Sequence, residues 1–135
     1  MKKIFLILFL FVIVMLTGCE NKRPIVLFSP LPITQENRYS ITRNLNVNQR
    51  IYYMIIVPRG MKKGTYRVQF VKKDEKSEFY GYNYYRHFDF KIDKNDTKYI
   101  TDYLVIHQPG WYFVQFFNIE KDINKFITLG DFKVK

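Results

Sequence analysis

Residues 110–116 read Gly-Trp-Tyr-Phe-Val-Gln-Phe, and residues 64–70 read Gly-Thr-Tyr-Arg-Val-Gln-Phe. In both stretches a glycine is followed by Tyr, Val and Phe at every second position. Because successive side chains of a β-strand point to opposite faces of a sheet, this alternation predicts that the Tyr, Val and Phe side chains face a core. Two matching units are fewer than the number, about three, that a repeat architecture needs. We therefore interpret them as two strands of one antiparallel sandwich.

The chain from residue 33 onward has the same character. Short apolar runs are separated by turns rich in Pro, Gly, Asn and Asp, and no stretch of ten or more residues has helical spacing. The prediction is an all-β fold, a single antiparallel β-sandwich of about seven strands over residues 33–135, immunoglobulin-like or related. The predicted strands are Tyr39–Val47, Arg50–Val57, Thr65–Lys72, Phe79–Ile92, Lys98–Ile106, Trp111–Ile119 and Phe126–Val134.

Alternation also assigns the two faces of the predicted strand Phe79–Ile92. Apart from Arg86, its even positions are apolar or aromatic and are expected in the core, whereas its odd positions are mostly polar and are expected to face water. The expected core residues are Tyr80, Tyr82, Tyr84, Phe88, Phe90 and Ile92, and the expected surface residues are Gly81, Asn83, His87, Asp89 and Lys91.

The start of the chain has the layout of an export signal. Lys2 and Lys3 precede thirteen apolar residues, 4–16, and small polar residues follow at Thr17 and Gly18. As a helix this apolar segment would reach ~20 Å, short of the ~30 Å hydrocarbon core of a bilayer. We therefore predict a cleaved signal peptide over residues 1–18 rather than a membrane-spanning helix.

Residues 16–19 read Leu-Thr-Gly-Cys, which resembles the lipobox of bacterial lipoproteins. The resemblance covers residues 1–19 and implies that Cys19 receives a diacylglyceryl group on its sulfur. It also implies cleavage between Gly18 and Cys19, with an amide-linked acyl chain to follow on the new amine. Two or more acyl chains give a durable anchor where one does not. The alternative is a buried, inert cysteine after an ordinary signal peptide.

The same resemblance implies a location. The protein is expected to be exported and lipid-anchored to the cell membrane, and Glu20, standing where some lipoproteins have Asp, favours the outer membrane in a cell with two membranes. Processing would remove Lys2 and Lys3 and lower the formal net charge from +10 to +8.

Three prolines lie between the cysteine and the predicted sandwich. This density favours an extended chain, so residues 19–32 are predicted to form a tether. Residues 25–28, Ile-Val-Leu-Phe, are apolar enough to dock as a first strand instead. Both interpretations stay open.

Residues 110–114 resemble the tyrosine-corner strand of immunoglobulin-like sandwiches. In this resemblance Tyr112 is the corner tyrosine, and Val114 stands where antibody domains place a cysteine. The chain has a single Cys, which excludes an internal disulfide. Aromatic packing is therefore expected to supply the stability, at ~25 cal/mol per Å² of apolar surface buried.

Two of the predicted strands, Arg50–Val57 and Trp111–Ile119, carry apolar side chains on both faces. If these strands were neighbours, their surplus faces would form one contiguous exposed patch of the kind that marks an interface. The alternatives are a tether or crossing loop that covers the surface, or a bulge that shifts the alternation. The hypothesis is a non-enzymatic module that binds an envelope protein, and the predicted partner-binding residues are Tyr52, Met54, Ile56, Trp111, Phe113 and Phe117.

Two other functions stay open. A carbohydrate- or small-ligand-binding module would use exposed Trp111, Tyr85 and Tyr52 as stacking platforms, and a cleft lined by these rings would favour it. A flat surface would favour a protein partner. A lipoprotein resembling inhibitors of cell-wall hydrolases is the third hypothesis.

Enzymatic chemistry is not expected. His87 and Asp89 project from one face of a strand, but the chain has one further histidine, His107, and a metal site needs three or four convergent ligands. Hydrolysis would also need a nucleophile and an oxyanion site. The sequence therefore predicts no catalytic residue, no metal and no cofactor beyond the covalent lipid on Cys19.

The excess of basic residues bears on which partners the protein binds. Lys and Arg number 22 against 12 Asp and Glu, and 19% of residues are aromatic, as in some single-strand nucleic-acid binders. The aromatics alternate as core, however, and an exported protein rarely meets nucleic acid, so no nucleic-acid partner is expected. The basic clusters at 59–63 and 72–73 are expected to attract anionic headgroups or envelope polymers.

Overall fold

A computed structural model describes residues 23–74 and 81–135. These residues form an all-β sandwich of two packed sheets, which confirms the predicted fold class. The predicted signal peptide, Cys19, Phe79 and Tyr80 lie outside the described residues. The strands are β1 (Ile25–Ser29), β2 (Asn44–Leu45), β3 (Arg50–Met61), β4 (Gly64–Asp74), β5 (Gly81–Ile92), β6 (Thr97–Val105), β7 (Gly110–Asn118) and β8 (Thr128–Val134), with one 3-10 turn at Arg38–Ser40.

The two sheets divide the strands three to five. The three-stranded sheet has the order β1-β3-β6 and the five-stranded sheet the order β2-β8-β7-β4-β5. All pairs are antiparallel except β2 with β8. The β3–β4 and β5–β6 connections both cross from one sheet to the other and lie at the same end of the sandwich. Among the described residues, no helix has the length and apolar character needed to cross a bilayer.

The core between the sheets is largely aromatic. The fully buried ring of Phe70 makes edge contacts with Tyr53 at 5.4 Å and with Phe88 and Phe132 at 6.2 Å between ring centroids. Aromatic pairs in these geometries add stability beyond the area that they bury. The Tyr53 hydroxyl is buried with no hydrogen-bond partner among the described residues, and burial raises the pKa of Tyr53 well above its usual range.

The two matching stretches form β4 and β7, which are neighbours in the five-stranded sheet. The Tyr112 hydroxyl donates to the Gln108 carbonyl at 2.7 Å, as a corner tyrosine does. The Tyr66 hydroxyl makes the equivalent bond to the Lys62 carbonyl at 2.9 Å. Through these hydrogen bonds, each tyrosine ties its strand to the connection that precedes it. Burial raises the pKa of Tyr112 to about 12.

The N-terminal part of the sandwich differs from the prediction. Strand β1 pairs with β3, so the sandwich begins at Ile25 and the docked-strand interpretation of this segment is correct. The strand predicted over Tyr39–Val47 is wrong except at Asn44–Leu45. The Ser40 hydroxyl bonds to the Asn37 carbonyl and to the Ser29 hydroxyl, both at 2.6 Å. Such side-chain bonds compete with a strand ladder and favour the turn seen here.

Strand β5 carries a β-bulge that reverses the predicted faces at its start. Phe70 pairs with Arg86 but Val71 pairs with Tyr84, which leaves Tyr85 as the extra residue. An inserted residue moves every side chain beyond it to the other face. Tyr82 and Tyr84 are therefore 51% and 60% exposed, contrary to prediction. Past the bulge, Phe88, Phe90 and Ile92 pack on the core as predicted.

Replacing Gly60 with alanine is expected to lower the free energy of unfolding by about 1–3 kcal/mol. Gly60 has a φ of +82°, and a Cβ there would lie 2.9 Å from the Cα of Asp96 and closer still to its carboxylate. Urea denaturation measures the loss. Arg59→Ala, at the neighbouring exposed position, is the control and should stay within about 0.5 kcal/mol of wild type. Equal stability of the Gly60 variant and wild type would contradict the backbone conformation and close contact described for Gly60.

Candidate binding surfaces

The six predicted partner-binding residues lie on two different sheets. Strand β3 belongs to the three-stranded sheet and β7 to the five-stranded sheet, so their outer faces point to opposite sides of the sandwich. The single contiguous patch expected from the sequence is therefore wrong. Alternation shows which side chains share a face of one strand, but it does not show which strands are neighbours.

Over the three rows that join all three strands, the outer face of the three-stranded sheet is uncharged. The pairing register aligns Ile25 with Ile56 and Tyr99, and it aligns Leu27 with Met54 and Thr101. In the third row, Tyr52 and Tyr103 pair beside the buried Ser29 of β1. Tyr99 is 58% exposed and Tyr103 42%. We call this surface the tyrosine–methionine face, and its members are Ile25, Leu27, Tyr52, Met54, Ile56, Tyr99, Thr101 and Tyr103.

Contacts within this face hold its tyrosines in place. The rings of Tyr52 and Tyr103 lie 5.6 Å apart, and the Arg50 guanidinium sits 4.8 Å over the Tyr103 ring at the border of the face. The neighbouring tyrosines raise the pKa of Arg50, chiefly through the side-chain contact with Tyr52. The sequence prediction did not include the outer residues of β6. The pattern of the strand could have identified them, because Tyr99, Thr101 and Tyr103 alternate with the buried Ile100 and Leu104.

The outer face of the five-stranded sheet carries a second surface, the aromatic row of Trp111, Phe113 and Tyr82. The Trp111 and Phe113 rings are nearly parallel, at 9° and 6.3 Å between centroids, and Tyr82 meets Phe113 edge-on at 5.1 Å. The Trp111 indole N–H donates to Asp131 at 3.1 Å, and Lys73 Nζ lies 5.8 Å from the indole ring. Trp111 is nevertheless 41% exposed.

Two further predicted residues do not reach these surfaces. Phe117 is only 5% exposed because Phe126, in the connection between β7 and β8, packs on it at 5.8 Å. Tyr85 points inward and meets Tyr112 edge-on at 5.3 Å. Since Tyr52 lies on the other sheet, the three rings expected to stack on a carbohydrate, those of Trp111, Tyr85 and Tyr52, are not brought together. For Phe117, the alternative prediction that a loop covers the apolar surface is therefore correct.

Asp89, His87 and His107, the side chains considered for catalysis, each form hydrogen bonds with a different partner. Asp89 accepts two hydrogen bonds from the Arg67 guanidinium, at 2.8 and 3.0 Å, and this contact lowers the pKa of Asp89. His87 Nδ1 bonds to the Tyr84 hydroxyl at 2.8 Å, and His107 Nδ1 bonds to Asn48 at 2.7 Å. Within the described ranges, no three His, Cys, Asp or Glu side chains form a group that could hold a metal ion.

One concavity of about 220 Å³ lies beside the β7–β8 connection, at the end where β4 begins. Its wall combines two aromatic rings and an isoleucine with two lysines and an aspartate. Neither the tyrosine–methionine face nor the aromatic row contributes to it. The lining residues are Tyr66, Asn118, Lys121, Asp122, Lys125, Phe126 and Ile127.

No family model and no curated protein matches this sequence. Among solved structures, a superoxide reductase (neelaredoxin) from Ignicoccus hospitalis is 8% identical, covers 84% of this chain and 80% of its own, and has a TM-score of 0.47. A beta-glucosidase from Listeria innocua, in complex with glucose, is 12% identical over 87% of this chain and 16% of its own, with a TM-score of 0.42. Because both scores are below 0.5, these likenesses carry no argument about this protein.

Proposed function

We propose that this protein is a lipoprotein of the bacterial cell envelope, anchored through acyl chains on Cys19. Its sandwich is a non-enzymatic module that binds an envelope protein through the tyrosine–methionine face. The lipobox-like residues 16–19 support the anchor. The observation that carries the binding proposal is the set of three registered rows of uncharged side chains on the outer face of the three-stranded sheet.

The outer face of an antiparallel sheet ordinarily faces water and is polar. Here every member of the tyrosine–methionine face except Thr101 is an apolar residue or a tyrosine. Tyrosine is enriched in protein interfaces because its ring is apolar and its hydroxyl still finds a polar partner. A protein surface that covers this face would remove the exposed parts of Tyr99, Tyr103 and Ile25 from water, which is favourable.

Site-specific photocrosslinking in cells tests this proposal. A photoreactive residue at position 103 is expected to give one discrete adduct with an envelope protein. Adding Met54→Asp should reduce the adduct yield at least about tenfold, since it buries an unpaired charge at the centre of the interface. Met54→Leu, which keeps the apolar surface, should retain the adduct. A thermal unfolding curve shows whether each variant still folds.

A photoreactive residue at position 129 provides the positional control. Leu129 is 60% exposed on the other sheet and is expected to give no adduct with the same protein. Equal adducts from both positions, or an adduct that survives Met54→Asp in a folded chain, would contradict the proposal. An adduct between two copies of this chain would show that the face binds a second copy of the chain and not an envelope protein.

The aromatic row supports a second candidate function, binding of an envelope carbohydrate. Nearly parallel rings, such as those of Trp111 and Phe113, are a surface on which sugar rings stack. Of the rings predicted for this role, Trp111 alone belongs to the row. Titration with cell-wall saccharide fragments should shift the fluorescence of this single tryptophan if the function is correct. Assaying a cell-wall hydrolase in the same samples tests the inhibitor-like function.

A further inference from the structure

One end of the sandwich lies close to the predicted lipid. Strand β1 begins there at Ile25, six residues after Cys19, and the Thr128 hydroxyl donates to the Pro24 carbonyl at 3.1 Å. Pro24 is the fifth residue after Cys19, so the two are at most about 18 Å apart even when the chain is fully extended. We call this the anchor end, and an acylated Cys19 must lie within that distance of it.

The anchor end is built from two connections that contact each other. These are the β3–β4 connection and the β5–β6 connection. The Lys63 N–H of the first connection donates to the Asn95 side chain of the second at 2.9 Å. Beside them, Lys98 Nζ of β6 donates to the Pro58 carbonyl of β3 at 3.2 Å. The exposed basic side chains of the two connections and of the end of β3 therefore lie at one end of the sandwich. These anchor-end cations are Lys62, Lys63 and Lys94 in the connections and Arg59 in β3.

The acidic groups of this end are already engaged. Asp93 pairs with Lys91 at 3.9 Å, and Asp96 pairs with Lys98 at 3.6 Å. Glu120 accepts a hydrogen bond from the Thr65 hydroxyl at 2.9 Å. Asp122, in the β7–β8 connection, accepts a hydrogen bond from the Asn124 backbone N–H. No carboxylate of the described chain lies within ion-pair distance of the four anchor-end cations, which are therefore available to an external anion.

We propose that the anchor-end cations bind anionic lipid headgroups of the bilayer that holds the acyl chains. This inference rests on the proposed lipid anchor. The anchor keeps the cations at high effective concentration near the headgroups, and each cation close to an anionic surface strengthens association about fivefold. Strand β4 runs from Gly64 at this end to Asp74 at the other. The docked sandwich therefore stands with its aromatic row directed away from the bilayer.

Lysine footprinting on the mature lipoprotein tests this orientation. The protein is reconstituted into vesicles of phosphatidylcholine alone or of phosphatidylcholine with phosphatidylglycerol, and acetylation of each lysine is followed by mass spectrometry. With phosphatidylglycerol, acetylation of Lys62, Lys63 and Lys94 is expected to slow about fivefold. High salt should abolish this protection. Lys133 and Lys135, at the opposite end, should react equally in both vesicles.

Two variants make the test specific. Lys62→Gln combined with Lys94→Gln should reduce the protection of Lys63, whereas Lys133→Gln combined with Lys135→Gln should leave it unchanged. Equal acetylation in the two kinds of vesicle, or protection at the opposite end, would overturn the inference. A chain that fails to float with either kind of vesicle would overturn the lipid anchor itself, so the two failures are distinguishable.

Discussion

Replacing Phe70 with alanine is expected to lower the free energy of unfolding by about 3–5 kcal/mol. The ring is fully buried between the two sheets and contacts Tyr53, Phe88 and Phe132, so its removal deletes three aromatic contacts and leaves a cavity. A domain of this size has a total stability of about 5–15 kcal/mol. The variant should therefore unfold at a much lower urea concentration, as measured by circular dichroism.

Tyr39→Ala is the matched control for Phe70→Ala. It also truncates an aromatic ring, but Tyr39 is 79% exposed, so the unfolding free energy should change by no more than about 0.5 kcal/mol. Phe70→Leu, which refills part of the cavity, should fall between the two. Similar losses for Phe70→Ala and Tyr39→Ala would contradict the packing described for the core.

Replacing Cys19 with alanine is expected to abolish acylation of the protein. The thiol is the acceptor that the lipobox resemblance implies, and alanine has no group to replace it. Metabolic labelling with a palmitate analogue should give a labelled wild-type protein and an unlabelled variant. The variant should also leave the membrane fraction, because the proposed acyl chains would supply its durable membrane affinity.

Gly18→Ala controls for damage to the processing site. The lipobox accepts either glycine or alanine at this position, so labelling and membrane retention should both persist. An unlabelled wild-type protein would contradict the lipid anchor. Retention of Cys19→Ala in the membrane through an uncleaved apolar segment would contradict the proposal that residues 1–18 are only a signal.

The sequence predicted most of the strands because their composition and the turns between them are distinctive. In β4, Tyr, Val and Phe alternate with polar residues, and β3, β6, β7 and β8 are runs rich in Ile, Val, Tyr and Phe between turn residues. The corner role of Tyr112 could be predicted because the tyrosine follows a glycine at the start of an alternating strand. Local patterns of this kind depend on the residues of one strand and need no knowledge of its neighbours.

The features that the sequence missed depend on contacts between distant segments. The bulge at Tyr85 depends on how β5 pairs with β4, and an unbroken alternation of tyrosines gives no sign of it. Phe117 is covered by a ring nine residues further along the chain. The surplus apolar faces of β3 and β7 were each predicted correctly as outer faces. Only the strand order placed them on opposite sides.

The bulge in β5 has a consequence for a protein confined to a surface. Strand β5 forms one edge of the five-stranded sheet, and it is twelve residues long. An unbroken edge of that length offers a template on which another copy can add a strand. With the proposed anchor, copies would meet often because they would diffuse in two dimensions. The extra residue at Tyr85 bends this edge, and a bent edge disfavours strand addition between copies.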